Sequence, residues 1–147
     1  MPVGVIMGTR RKSREAALQF LYQNDFVAVA DADDEAALLD SYGLFCSLYQ
    51  VNRKARPYGY DLIKGVLSEL ESIDSIIEEC ATNWRLSRIA PTDRNLLRIA
   101  VYEMLHVEDV PPQVAINEAV EVAKRFGGDE SPGFINGILD GVKARLE

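Results

Sequence analysis

The sequence predicts an all-α protein of about seven helices, arranged in two small helical subdomains that pack together. Apolar residues recur every three to four positions along most of the chain, which is the period of a helix with one buried face. Proline, glycine and acidic residues fall between these segments, at positions typical of helix ends. No segment alternates between apolar and polar residues for long enough to predict a strand.

The first part of the chain contains four of these helices. We expect the first to begin at Ser13, a good N-cap residue, and residues 25–34 to form a loop whose last aspartates cap the second helix. The basic cluster at residues 53–56 is expected to end the second helix, and Pro57 to open the third. The fourth reaches Trp84. The apolar stripes of these helices include Ala17, Phe20 and Leu21, then Leu38, Tyr42 and Phe45, then Leu62, Ile63 and Val66, then Ile73 and Ile77.

The remaining three helices have clearer boundaries. Pro91 opens the fifth and the Pro111–Pro112 pair ends it, because proline cannot continue a helix. Gly127–Gly128 is expected to end the sixth in a left-handed conformation. Ser131 is expected to cap the seventh, with Pro132 at its first position. The predicted organisation is a flexible basic arm over residues 1–12, an N-terminal subdomain over 13–88 and a C-terminal subdomain over 89–147.

Charge is unevenly distributed along the chain, whose formal net charge is −7. The first 14 residues carry four cations (Arg10, Arg11, Lys12 and Arg14) and no acid, whereas the remainder carries 12 cations and 23 acids. A phosphate-rich partner is therefore attracted to the arm and repelled by most of the remaining surface. The alternative interpretation of the arm is a solvated terminal tail without a partner.

Nothing in the sequence indicates catalysis, a metal site or a cofactor. One histidine and two cysteines cannot supply a tetrahedral Cys/His site, and no glycine-rich phosphate loop or nucleophile elbow is present. Cys46 and Cys80 fall on apolar stripes and are predicted to be core residues. No run of 18 apolar residues and no signal-peptide core occurs, so we expect a cytoplasmic protein that is not associated with a membrane.

Aromatic residues accompany a second group of cations near the C-terminus. Lys124 and Arg125 precede the Gly127–Gly128 turn, and Phe126 and Phe134 flank it. Rings beside cations can stack on unpaired bases, although phenylalanines at helix ends also serve as core or capping residues.

Several stretches resemble the family of the bacterial transcription antitermination factor NusB. The segment from Arg10 to Tyr22, RRKSREAALQFLY, is similar to the opening of that family, and residues 95–104, NLLRIAVYEM, to its central helix. The longest similarity is VAINEAVEVAKRFG at residues 114–127, continued by FINGILD at residues 134–140, with a weaker one in YDLIKGV at residues 60–66. Residues 27–56 contain no matching motif.

The resemblance implies a two-part helical fold and an RNA-binding function without catalysis. Members of the family pair with NusE, a ribosomal protein that is also a transcription factor. The pair binds single-stranded boxA RNA, chiefly in ribosomal RNA leaders, and promotes read-through by RNA polymerase in an assembly with NusA and NusG. Some relatives self-associate, so a homodimer is also compatible with the resemblance.

The resemblance also assigns roles to particular residues. The implied RNA-binding residues are Arg10, Arg11, Lys12, Arg14, Lys124, Phe126, Glu130 and Phe134, and the implied NusE contacts are Tyr22 and Asp93. An acidic residue at position 93 suits a basic ribosomal protein. One departure concerns the last helix, where Pro132–Gly133 stands in place of a cation that the family often has before the aromatic residue.

Two other functions are compatible with a helical fold of this kind. The same fold occurs as the N-terminal domain of a ribosomal RNA cytosine methyltransferase, but that enzyme needs a downstream catalytic domain, and this chain ends at Glu147. The other alternative is a protein-only scaffold in which the basic arm has no RNA ligand. We therefore expect a binding protein rather than an enzyme.

Overall fold

The computed structural model describes residues 3–26 and 34–147. Within these residues the chain forms seven α-helices, two short 3-10 helices and no strand, which confirms the all-α prediction. The α-helices are α1 (Val3–Phe26), α2 (Glu35–Leu48), α3 (Arg56–Ser68), α4 (Leu70–Cys80), α5 (Pro91–His106), α6 (Pro112–Phe126) and α7 (Ser131–Leu146). None of the helices in the described ranges is long and apolar enough to cross a membrane.

The chain divides into two compact units, Met1–Ser68 and Glu69–Glu147. The division lies before α4, N-terminal to the seam that the sequence suggested near residues 86–91. The physical reason is that α4 packs against α5 and α7, so it belongs with the C-terminal helices.

The first unit is held together by an aromatic cluster and by close packing of α1 on α3. The Phe20 ring meets the rings of Tyr42 and Phe45 edge to face, with centroids 5.8 and 5.7 Å apart. The Tyr42 hydroxyl donates a hydrogen bond to the carbonyl oxygen of Arg56 at 3.1 Å, which ties α2 to the start of α3. Burial raises the pKa of the neighbouring Cys46 thiol, in agreement with its predicted place in the core.

Helix α1 begins at Val3, so the prediction that this helix starts at Ser13 is wrong. Ser13 does not cap the helix but lies inside it, fully buried. Its hydroxyl donates to the carbonyl oxygen of Ala55, 2.7 Å away on the neighbouring segment, and lies 3.1 Å from the carbonyl of Thr9. Serine is a common N-cap residue, but here its hydroxyl bonds to a distant backbone carbonyl instead. The residue type alone does not distinguish these two roles.

Of three other predicted helix ends, the structure confirms one and corrects two. The predicted cap of α2 is confirmed, because the Asp34 Oδ1 accepts the backbone N–H of Ala37 at 3.0 Å. Of the predicted loop at residues 25–34, the first two residues belong to α1 and residues 27–33 lie outside the described residues. Helix α2 ends at Leu48 rather than at the basic cluster, which instead forms a 3-10 turn (Arg53–Ala55) leading into α3. Helix α4 ends at Cys80, so Trp84 lies in the following turn and not in the helix.

In the second unit, α5 contacts α4, α6 and α7. The proline boundaries of α5 and α6 are as predicted, with Pro91 and Pro112 each in a first turn. A charged pair joins α4 to α5, because Nε and Nη2 of Arg98 donate to the two carboxylate oxygens of Asp74 at 2.8 and 3.0 Å. This two-point contact fixes the register between the two helices.

Candidate nucleic-acid interface

Four cations of the first unit, Arg10, Arg11, Lys12 and Arg14, lie close together within α1. Lys12 is exposed, whereas Arg10 and Arg11 are partly buried. The guanidinium carbon of Arg10 lies 4.6 Å from the centre of the Tyr58 ring in the first turn of α3, a cation–π distance. The helix thus holds these cationic side chains close together, and the Tyr58 ring orients that of Arg10.

Arg14 differs from the other three cations, because it is only 3% exposed. Its guanidinium carbon lies 5.9 Å from the same Tyr58 ring, one helical turn after Arg10. The sequence reading missed Tyr58 altogether. No signal would have singled it out, because the pairing joins residues more than forty positions apart on separate helices.

The turn between α6 and α7 shapes the candidate site of the second unit. Gly127 has φ −95° and ψ 179°, which is extended backbone, so the predicted left-handed cap is wrong. Glycine is needed there for space instead: a Cβ on Gly127 would lie 2.6 Å from both Cβ and Oγ of Ser131. Ser131 is the first residue of α7 rather than its N-cap, and its Oγ accepts the backbone N–H of Gly128 at 3.0 Å.

We expect Gly127→Ala to destabilise the protein by about 2 kcal/mol, since the added methyl group forces the Ser131 side chain or the turn to move. Gly128→Ala is the matched control. Its Cβ would meet nothing closer than the Ser131 Oγ at 4.0 Å, so its effect should stay within about 0.5 kcal/mol. Urea denaturation of both variants measures the difference, and equal stabilities would contradict the steric explanation.

A cavity of about 610 Å³ opens beside this turn. Its walls come from the segment before α5, the first turn of α5, the α6–α7 turn and the first turn of α7. It brings together Asp93, for which the resemblance implied a protein contact, and Glu130 and Phe134, for which it implied RNA contacts. One carboxylate oxygen of Asp93, Oδ1, is buried and has no hydrogen-bond partner.

Trp84 forms one side of this cavity and was missed as a functional candidate. Its side chain is 51% exposed, and its ring meets that of Phe134 edge to face at a centroid distance of 6.4 Å. The available signal was that Trp84 is the chain's single tryptophan, but the prediction placed it in the fourth helix. Arg88 also lines the cavity.

The other predicted site residues are not among those that line the cavity. Lys124 forms an exposed ion pair with Glu121, with Nζ 3.0 Å from Oε1. The half-exposed Phe126 ring has the Arg125 guanidinium carbon 5.1 Å from its centre. Tyr22 belongs to the first unit, where it is 40% exposed and contacts the Phe26 ring at a centroid distance of 5.1 Å.

Comparison with known proteins identifies the family of this chain. The model of the NusB family matches residues 11–144, which is nearly the whole chain. The chain belongs to the NusB family. A transcription antitermination protein NusB from Desulfotalea psychrophila is 59% identical over 137 residues, covering 93% of this chain and 96% of that protein. One from Desulfosudis oleivorans is 44% identical over 140 residues, covering 95% and 88%.

Solved NusB structures share the fold. NusB of T. maritima superposes with a TM-score of 0.75 at 33% identity, covering 92% of this chain and 90% of that one. A NusB–NusE complex with double-stranded RNA contains a chain that superposes with a TM-score of 0.79 at 23% identity, covering 95% and 98%. At that identity the second comparison supports the helical fold alone.

Proposed function

We propose that this chain is a transcription antitermination factor that binds single-stranded boxA RNA in ribosomal RNA leaders together with NusE. In this role it promotes read-through by RNA polymerase in an assembly with NusA and NusG. The observation that carries the proposal is the cationic turn of α1 in a chain of the NusB family whose remaining surface is predominantly acidic.

The RNA contacts of this proposal are centred on Arg10, Arg11 and Lys12. Guanidinium groups bind phosphates through two parallel hydrogen bonds and stack on unpaired bases. Arg14 is buried and would have to move to reach a phosphate. Its proposed role is therefore to stabilise this turn of α1 through its contact with the Tyr58 ring. Phe126 and Lys124 remain candidates for a second contact.

The acidic remainder of the chain explains why a second protein takes part. Three accessible cations cannot hold a polyanion firmly beside an excess of negative charge. A basic partner bound to the acidic surface supplies further phosphate contacts and lowers the repulsion.

Gel-shift titrations of boxA RNA test the proposal directly. We expect weak binding by the chain alone, and binding with NusE that is at least tenfold tighter and falls steeply between about 50 and 200 mM salt. A scrambled RNA of the same length is the control. Equal affinity with and without NusE, or equal affinity for both RNAs, would refute the proposed function.

A further inference from the structure

A second cationic segment lies beside the cations of α1. The 3-10 turn Arg53–Ala55 packs on α1, where the carbonyl oxygen of the buried Ala55 accepts the Ser13 hydroxyl at 2.7 Å. Lys54 is one residue from that contact on the turn, and Lys12 is one residue from it on α1. Because consecutive Cα atoms are about 3.8 Å apart, the turn carries its cations close to those of α1.

The backbone of this turn is held in place on both sides. The Asn52 side-chain oxygen accepts the backbone N–H of Lys54 at 2.9 Å, and the Asn52 carbonyl accepts that of Ala55 at 3.0 Å. Ala55 itself has no exposed surface, whereas Arg53 and Lys54 are exposed. The turn therefore presents two solvated cations from a fixed position, which reduces the ordering cost of binding a ligand.

The described residues give the side chains of these two cations no partner. Arg56 alone takes the role expected of the basic cluster near the end of α2, with its Nε 3.0 Å from the Val51 carbonyl and its Nη2 3.3 Å from that of Cys46. Within residues 3–26 and 34–147, the side chains of Arg53 and Lys54 form no ion pair and no hydrogen bond. Both cations are therefore available to a ligand.

The two segments that meet here contain no acid. Residues 1–14 and 41–60 lack aspartate and glutamate, although the chain as a whole carries an excess of acids. Arg53 and Lys54 add two cations to the three accessible ones of α1. Such a cluster of positive charge without interspersed acids is complementary to a polyanion with regularly spaced phosphates.

We propose that the 3-10 turn Arg53–Ala55 is a second phosphate-binding element, in which Arg53 and Lys54 extend the cations of α1 into one strip for single-stranded RNA. The identity of the RNA rests on the proposed function, but the affinity for phosphates rests on the charges of the strip. Contacts to phosphates increase affinity and salt dependence without reading the base sequence. The turn is thus expected to strengthen RNA binding without changing the preference for boxA.

The double variant Arg53→Ala/Lys54→Ala in complex with NusE tests this proposal. Its affinity for boxA RNA should fall at least tenfold, and the slope of log K against log salt should decrease by about 1.4, since each single-strand phosphate contact contributes about 0.7. A scrambled RNA should lose affinity by the same factor. Both residues are exposed, so urea denaturation should show an unchanged stability.

The matched control is Lys64→Ala/Lys143→Ala, which removes the same charge from α3 and α7. It should leave the slope unchanged. Equal slopes for the two double variants would show a general charge effect and overturn the proposal, as would an unchanged slope in the Arg53→Ala/Lys54→Ala variant. Loss of NusE binding in that variant, with RNA binding by the chain alone unaffected, would identify a protein contact instead.

A titration of the chain alone separates this inference from the proposed function. A short oligouridylate at about 20 mM salt should shift the backbone N–H signals of residues 53–55 together with those of residues 10–12 in ¹H–¹⁵N spectra. Shifts at residues 10–12 alone, or at neither segment, would overturn the strip. If both segments respond but boxA is not preferred over scrambled RNA, the strip stands and the proposed function fails. If boxA binds with NusE and the turn does not respond, the function stands and the strip fails.

Discussion

Replacing Arg10, Arg11 and Lys12 together by alanine is expected to lower the affinity of the NusE complex for boxA RNA by about two orders of magnitude. Each lost phosphate contact is worth roughly 1 kcal/mol, and about 1.4 kcal/mol corresponds to a factor of ten. The salt dependence should fall as well. For single strands the slope of log K against log salt changes by about 0.7 for each phosphate contact removed, hence by about 2 for three.

Salt titrations of the triple variant and the parent protein measure both quantities. The single substitution Lys12→Ala should reduce the slope by about 0.7, whereas Lys143→Ala, which removes one cation near the end of α7, should leave it unchanged. Binding of NusE should persist in the triple variant. If RNA affinity is unchanged while NusE still binds, the protein-only scaffold replaces the RNA-binding function.

Helix content could be predicted from the sequence because it depends on local patterns. The apolar stripes around Leu62, Ile77 and Leu97 repeat with the helical period, and these residues are fully buried. Prolines at positions 91 and 112 mark helix starts for a purely local reason. The first N–H groups of a helix have no intrahelical acceptor, so proline, which lacks an N–H, loses no hydrogen bond there.

In two of the errors, contacts in the folded chain gave a residue a different role from the one that its type suggests. Ser13 has the residue type of an N-cap but bonds to the Ala55 carbonyl across the unit. Gly127 has the residue type of a left-handed cap, but Ser131 requires it to lack a side chain. In both cases the residue type alone does not distinguish the two roles.

The candidate site was predictable in part for the same reason. A run of cations at residues 10–12 is visible without a structure, because its charge does not depend on the fold. The cavity is different, since Trp84 follows α4 and Phe134 lies fifty residues later in α7, and the two meet only when the helices have packed. Asp93 and Glu130 likewise line the same cavity only in the folded chain, so their sequence positions do not indicate that they share a site.

The contact between Arg98 and Asp74 joins α4 to α5, and Arg98→Met is expected to destabilise the protein by about 3 kcal/mol. The side chains are only 10% and 20% exposed, so removal of the cation leaves a poorly solvated carboxylate without its partner. Nη1 of Arg98 also donates to the Asn95 side-chain oxygen at 3.1 Å, which is lost as well. Arg98→Lys should recover only part of the loss, because an ammonium group cannot reproduce the two-point contact.

Urea denaturation of the two single variants and of Arg98→Met/Asp74→Leu separates the ion pair from simple packing. If the cost comes from the stranded carboxylate, the double variant should be more stable than Arg98→Met, because an apolar pair replaces the charges without leaving either unpaired. A double variant as unstable as the single one would show that the arginine stem, rather than its charge, holds α4 on α5.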